Sequence, residues 1–119
     1  MTRLIYIIGV VLVLLFGSCG QKHKAAQLAD DFVDQYALSP DKMIKRDYCH
    51  FDSTKLISDS LVDAMQHRRH PLYKYPIDYP TPSAGRMLYL VRMNYLFDGD
   101  TLSQTFYIDE QMEHVVAFK

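Results

Sequence analysis

The sequence predicts an α+β domain in which amphipathic helices come first and an antiparallel β-meander comes last. Apolar residues recur every three or four positions over 25–36, which is the period of a helix that buries one stripe. Asp98-Gly99 separates two long segments rich in aromatic and aliphatic residues, a pattern typical of a β-hairpin with a type I′ turn. We therefore expect N-terminal helices packed on one face of a curved C-terminal sheet.

The segment before this domain has the pattern of an export signal. Arg3 precedes an uncharged apolar run over 4–16, which is short for a transmembrane helix because such a helix needs about 20 residues. The run ends in Phe16-Gly17-Ser18-Cys19, which resembles the signal of bacterial lipoproteins, except that Phe16 stands where leucine is usual. That resemblance implies cleavage before Cys19, a diacylglycerol thioether on its sulfur and a fatty acyl chain, such as palmitate, on its amine. The alternative is an uncleaved signal anchor in which Cys19 is incidental.

The lipoprotein resemblance also implies a location. Gly20 stands where an aspartate would retain a lipoprotein in the inner membrane, so the resemblance favours the outer membrane. The chain then divides into a signal peptide at 1–18, a lipidated cysteine with a polar tether at 19–24, and a single domain at 25–119. We expect a protein of the bacterial cell envelope, bound to the membrane through lipid on Cys19.

Composition argues against a nucleic-acid partner. Loss of Arg3 with the signal peptide leaves 12 of the 13 basic residues against 14 acidic ones, a net charge of −2, whereas nucleic-acid binding needs a basic surface. Cys49 is then the remaining free thiol, so the domain is expected to fold without an internal disulfide. Burial is the favoured role for Cys49, with catalysis or pairing with another chain as alternatives.

Three helices are predicted before the hairpin. The first has its buried stripe at Ala25, Leu28, Ala29, Phe32, Val33 and Tyr36, with Asp30, Asp31 and Asp34 expected on a solvated face. Ser39-Pro40-Asp41 has the pattern of a helix start and predicts a short second helix to about Tyr48. A third helix is expected from Asp52 or Ser53 to a point before Pro71, with a stripe of Ile57, Leu61, Val62 and Met65.

A proline-rich segment follows these helices. Prolines at 71, 76, 80 and 82 exclude helix and central strand, so 71–85 is predicted to cross the domain in an extended form. Its tyrosines Tyr73, Tyr75 and Tyr79 have two possible roles. Packing on the domain is favoured, and a partner-docking strip for another envelope protein is the alternative.

The two-residue Asp98-Gly99 turn fixes the hairpin register. It pairs Phe97 with Asp100 and Tyr89 with Ile108, which gives one mostly apolar face. A last strand is expected over 113–118, but no clean turn signal fixes its register. If Ile108 faces Glu113, His114 lies opposite Tyr107; a slip of one residue would turn His114 to the apolar face.

The other, mixed face of the sheet carries the candidate ligand-binding residues, four of them on the hairpin and His114 on the last strand. These residues are Arg92, Asn94, Thr105, Tyr107 and His114. If this face walls a pocket, Tyr107 and His114 could polarise a carbonyl and Arg92 could hold a carboxylate. A solvated face is the favoured interpretation, because no carboxylate base clearly points there. No residue is assigned a catalytic role.

The run His67-Arg68-Arg69-His70 is expected to be an exposed basic helix end. Contact with anionic lipid headgroups or with lipopolysaccharide phosphate is the second interpretation. The two histidines lack a third ligand, so we predict no metal site, and the sequence has no cofactor motif.

Several features together resemble the NTF2-like, cystatin-related superfamily: the opening helix with Phe32 and Tyr36, and the closing pattern Phe106–Glu110 and Val115–Phe118. That superfamily is a cone-shaped scaffold with a pocket between helices and sheet, and it includes isomerases, cyclases and noncatalytic binding domains. The resemblance implies a noncatalytic binding module for a partner protein or small ligand; the alternative is a small isomerase or hydrolase that uses a pocket on the sheet face. Fold alone does not decide between them.

Overall fold

The computed structural model describes residues 20–80 and 87–119. Helix α1 covers residues 20–36 and α2 is Asp59–Gln66. The strands are β1 (Ile44–Thr54), β2 (Leu88–Phe97), β3 (Asp100–Ile108) and β4 (Val115–Phe118), and they form one antiparallel sheet in the order β1-β2-β3-β4. The α+β class, with helices ahead of an antiparallel meander, is confirmed. The predicted signal peptide and Cys19 lie outside the described residues.

Helix α1 buries the predicted stripe. Ala25, Ala29 and Val33 are fully buried, and the stripe packs on the sheet face that carries Val91 and Phe106. Residues 21–24, which were expected to form a polar tether, are helical and exposed. The main core therefore lies between α1 and one face of the sheet.

Helix α2 covers part of the opposite face. Its buried residues Val62 and Met65 pack with Leu88, Tyr107 and Ala117, a cluster separate from the main core. Because neighbouring strand residues point to opposite faces, Tyr107 lies across the sheet from Phe106 and Ile108. The expectation that all helices pack on one face is wrong, since α1 and α2 sandwich this end of the sheet.

The predicted second helix is wrong. Pro40–Lys42 forms a single 3₁₀ turn, the side chain of Ser39 makes no capping hydrogen bond, and the chain then enters β1. Strand β1 pairs with β2 through two β-bulges, with left-handed backbone at Lys45 (φ 52°) and His50 (φ 53°). Each bulge adds one residue to β1 and increases its local twist. A strand therefore lies between the helices.

The third helix begins later than predicted. Its N-cap is Ser58, whose Oγ accepts a hydrogen bond from the Leu61 N–H at 3.2 Å, while Asp52 and Ser53 belong to β1. Its end at Gln66, before Pro71, is confirmed. Leu61, expected in the buried stripe, is exposed.

The hairpin register is confirmed. Phe97 pairs with Asp100 and Tyr89 with Ile108, and both turn residues have positive φ, 51° at Asp98 and 81° at Gly99. These angles are those of a type I′ turn.

The sequence left the register of the last strand open, and the pairing of Ile108 with Glu113 that it offered does not occur. Ile108 pairs with Val115, and Tyr107 pairs with Ala117. The carboxylate of Asp109 accepts hydrogen bonds from the N–H groups of Glu113 (2.7 Å) and His114 (3.0 Å), which closes a six-residue loop over 109–114. Because of this loop, β4 begins only at Val115, and His114 lies outside the strand.

Candidate functional site

The candidate ligand-binding residues predicted on the mixed face do not form one site. Arg92, Asn94 and Thr105 lie on the part of that face that α2 leaves open. Arg92 is exposed and Asn94 is half-buried; the side-chain oxygen Oδ1 of Asn94 accepts a hydrogen bond from Ser103 Oγ at 2.6 Å. This part of the face is a polar, solvated strip.

Tyr107 and His114 are separated from that strip and from each other. Tyr107 is 4% exposed and packs in the cluster under α2. His114 is exposed on the 109–114 loop, where its Nε2 lies 3.9 Å from Glu113 Oε2. The sheet lies between the environments of these two residues, so the arrangement does not bring them to one carbonyl group.

The tyrosines of the proline-rich segment do not form a common exposed strip either. Tyr73 is 4% exposed and belongs to the main core. Tyr79 is half-buried and stacks on Phe32 with 6.0 Å between ring centroids. Only Tyr75 of the three is exposed, and its ring faces the Arg69 guanidinium at 4.5 Å.

An open cleft lies between α1 and the 109–114 loop, with a volume of about 190 Å³. We call it the acidic cleft. Carboxylates from three segments line it, together with the rings of Phe32 and Tyr36. Among the described residues, its lining is Leu28, Asp31, Phe32, Gln35, Tyr36, Asp78, Pro80, Glu113, His114 and Val115.

The wall of the acidic cleft that α1 provides is fixed by an ion-pair network with β1. Arg46 Nη1 donates to Asp30 Oδ1 at 2.8 Å and to Asp34 Oδ1 at 2.9 Å, and the Tyr48 hydroxyl donates to Asp30 at 2.7 Å. Burial tends to raise the pKa of Asp30, but the hydrogen bonds from Arg46 and Tyr48 and the charge of Arg46 outweigh it and lower that pKa. Asp31 and Asp34 are exposed, as expected of a solvated face, although Asp34 also pairs with Arg46, whereas Asp30 is half-buried in the ion-pair network.

A second opening lies beside Pro71, at the start of the proline-rich segment. We call it the basic notch, with a volume of about 240 Å³. It is lined by Arg68, Arg69, His70, Pro71, Phe118 and Lys119. Its charge is opposite to that of the acidic cleft.

A chain of polar groups connects the basic notch to the core. The Leu72 N–H donates to His70 Nδ1 at 3.1 Å, and the side-chain nitrogen of Gln104 lies 3.1 Å from His70 Nε2. The Tyr73 hydroxyl donates to Gln104, which is 3% exposed. Burial and the nearby charge of Arg68 lower the pKa of His70, so its ring is neutral at pH 7.

Cys49 is half-buried on the mixed face, where the Asn94 side-chain N–H contacts its sulfur at 3.5 Å. Within residues 20–80 and 87–119, no group of three His, Cys, Asp or Glu side chains is arranged to hold a metal ion.

Sequence reasoning missed both openings. The acidic cleft depends on the 109–114 loop, and Asp109 was the available signal, because aspartate side chains commonly bind backbone N–H groups of a following turn. The basic notch depends on Phe118 and Lys119 lying beside residues about fifty positions earlier. No local pattern reports such a contact.

No helix in the described part of the chain is long and apolar enough to cross a membrane. Comparison of the chain with protein-family models, with curated proteins and with solved structures finds no match in any of the three.

Proposed function

We propose that this protein is a noncatalytic binding module of the bacterial cell envelope, anchored through lipid on Cys19, that takes a basic partner segment or a small cationic ligand in the acidic cleft. The observation that supports this proposal is the set of residues that lines the cleft. Asp31, Asp78 and Glu113 reach it from α1, the proline-rich segment and the 109–114 loop, around an apolar floor that includes Phe32.

Charge and shape favour a cationic ligand with an apolar portion. Three carboxylates attract a lysine, arginine or amine, and the ring of Tyr36 offers a face over which a cation is also favourable. None of the three carboxylates forms an ion pair with a lysine or arginine of the described residues. They remain available to a partner.

The alternative of an isomerase or hydrolase has less support. Its proposed machinery was Tyr107 with His114 in one sheet-face pocket, and these side chains lie on different sides of the sheet. The acidic cleft contains His114, but it is open to solvent, whereas catalysis by fixed dipoles is strongest in a site that excludes water. A second function is therefore not proposed.

The cleft is tested by crosslinking in the native envelope, with capture through a C-terminal tag. The variant Asp31→Asn/Glu113→Gln removes two cleft charges without changing side-chain size much. Its control, Asp41→Asn/Asp100→Asn, removes two exposed charges away from the cleft. We expect a reproducible partner with the wild type and the control, and strong loss of that partner with the cleft variant.

Retention of the same partner by the cleft variant would overturn binding at the acidic cleft. If no protein is captured by the wild type, the small-ligand form is tested by titrating the full chain in nonionic detergent with putrescine. Absence of saturable heat with this diamine, together with absence of a captured partner, would end the proposal.

The anchor is tested separately by the intact mass of protein extracted from membranes. Cleavage before Cys19 and addition of two or three acyl chains give a mass that the unmodified chain cannot have. Each buried methylene contributes about 0.8 kcal/mol, so these chains hold the protein on the membrane without a second contact. A measured mass equal to that of the unlipidated full-length chain would contradict lipid anchoring through Cys19.

A further inference from the structure

We propose that the basic notch binds the phosphate monoester group of an amphiphilic ligand, with the apolar part of that ligand lying on Phe118 and Pro71. This inference concerns a different surface from the acidic cleft and a ligand of opposite charge. It does not depend on the proposed function.

The basic notch concentrates positive side-chain charge that no acidic side chain of the described lining offsets. The side chains of Arg68, Arg69 and Lys119 bring this positive charge into one opening. None of the three forms an ion pair with a carboxylate of residues 20–80 or 87–119. Arg46, by contrast, is neutralised by two aspartates. Three cationic side chains brought together without an acidic side chain favour a ligand that supplies an anion.

The backbone that carries Arg68 and Lys119, and the guanidinium of Arg69, are held in place before a ligand arrives. The Arg68 N–H donates to the Met65 carbonyl at 3.3 Å, and the N–H and C=O of Lys119 both pair with Thr105 at 2.9 Å. The Arg69 guanidinium rests on the Tyr75 ring. A guanidinium stacked on a ring keeps N–H donors at its edge, in the fork that matches phosphate oxygens. Ordering in advance lowers the entropic cost of binding.

Phe118 and Pro71 give the basic notch an apolar wall. Phe118 is 5% exposed, and its ring packs 5.8 Å from the His70 ring, while Pro71 is exposed at the rim. A bare inorganic anion would gain nothing from these groups. A phosphate monoester attached to a short hydrocarbon uses both the cations and the apolar wall, because burying its methylene groups is favourable.

Two sources supply this chemistry: a soluble phosphate monoester, and a membrane lipid whose headgroup is a phosphate monoester. Modification of arginine by phenylglyoxal, read at each arginine by mass spectrometry, distinguishes them. In one arm the full chain in nonionic detergent is treated with butyl phosphate or with inorganic phosphate. In the other it is reconstituted in phosphatidylcholine vesicles with or without phosphatidic acid.

Butyl phosphate at about ten times its Kd should slow labelling of Arg68 and Arg69 about tenfold, because only the free protein reacts. Arg92, which is exposed elsewhere on the sheet, should label at an unchanged rate. Inorganic phosphate at the same concentration should protect much less. Protection by phosphatidic acid alone assigns the site to a lipid, and protection by butyl phosphate with none in vesicles assigns it to a soluble ester.

Variants make the test specific. Arg69→Gln should abolish the protection of Arg68, whereas Lys24→Gln, which removes one exposed charge from α1, should leave it intact. Slow labelling of Arg46, which is held by two ion pairs, reports that each variant is folded. The proposal is overturned if no probe protects Arg68 and Arg69, if Arg92 is protected equally, or if inorganic phosphate protects as well as butyl phosphate.

Discussion

Arg46 on β1 is joined to Asp30 on α1 by a hydrogen-bonded ion pair of 2.8 Å. The same Nη1 reaches Asp34, one helical turn further on, and the remaining donors bind the carbonyl oxygens of Met43 (2.9 Å) and Pro40 (2.6 Å). One side chain therefore ties the edge strand to the helix and closes the turn between them. Its burial costs little because nearly all of its donors are satisfied.

Replacement of Arg46 by methionine should destabilise the fold. Two carboxylates and two carbonyl groups lose their partner, but Asp30 and Asp34 are partly exposed and regain water. We therefore expect a loss of about 1–3 kcal/mol, below that of a fully buried pair. Urea denaturation of the full chain in nonionic detergent measures it. Arg92→Met, at an exposed strand position, should change stability by less than about 0.5 kcal/mol; equal effects would contradict a structural role for Arg46.

Asp30 should contribute a pH-dependent part of the stability. The folded state holds the pKa of Asp30 below its ordinary value of 3.8. A depressed carboxyl pKa stabilises the fold fully above the unfolded value, and this contribution is lost as the pH falls through the folded value. Asp30→Asn should therefore be less stable than the wild type at pH 6, and should lose less stability between pH 6 and pH 3. Asp31→Asn, at the exposed neighbouring position, should keep the wild-type loss, and a loss by Asp30→Asn as large as that of the wild type would contradict the assignment.

The sequence supports some elements far better than others, for physical reasons. The hairpin register follows from a turn of two residues, because Asp98-Gly99 allows one pairing of its flanks. Strand β1 gives no such signal. The bulge at His50 puts Tyr48 and Phe51, three residues apart, toward the same core, and this spacing is that of a helix rather than a strand.

The candidate sites show the same limit. The hairpin register correctly predicted that Asn94 and Thr105 share one face of the sheet. It could not predict which part of that face α2 covers, because that depends on contacts between residues distant in the sequence. His114 was misplaced because the Asp109 carboxylate organises a longer loop than the strand pattern indicates. Pairing by alternation works only where the turn between strands is known.

Tyr73 should affect stability, and Tyr75 should not. Tyr73→Ala empties a core position and should cost about 3–5 kcal/mol, whereas Tyr73→Phe keeps the ring and should cost about 1–2 kcal/mol, because Gln104 is left without its hydroxyl partner. Tyr75→Ala, on the surface, should lie within about 0.5 kcal/mol of the wild type. Urea midpoints measure all three. If Tyr73→Ala were as stable as Tyr75→Ala, the packing role assigned to Tyr73 would be wrong.

Gly99 should be needed for its backbone conformation and not for space. A Cβ added at Gly99 would meet no atom within 4 Å, and the same is true at Gly20 in α1, but only Gly99 has a positive φ, 81°. A non-glycine residue in the left-handed region costs about 1–2 kcal/mol, whereas alanine in a helix is favoured over glycine by up to about 1 kcal/mol. Gly99→Ala should therefore lower the urea midpoint and Gly20→Ala should leave it unchanged or raise it, once intact masses show that both variants are processed like the wild type. The β2–β3 pairing also positions β4, so the loss of stability in Gly99→Ala should appear in the cooperative unfolding of the whole domain. A separate unfolding transition confined to the hairpin would show that the turn does not set the register of the sheet.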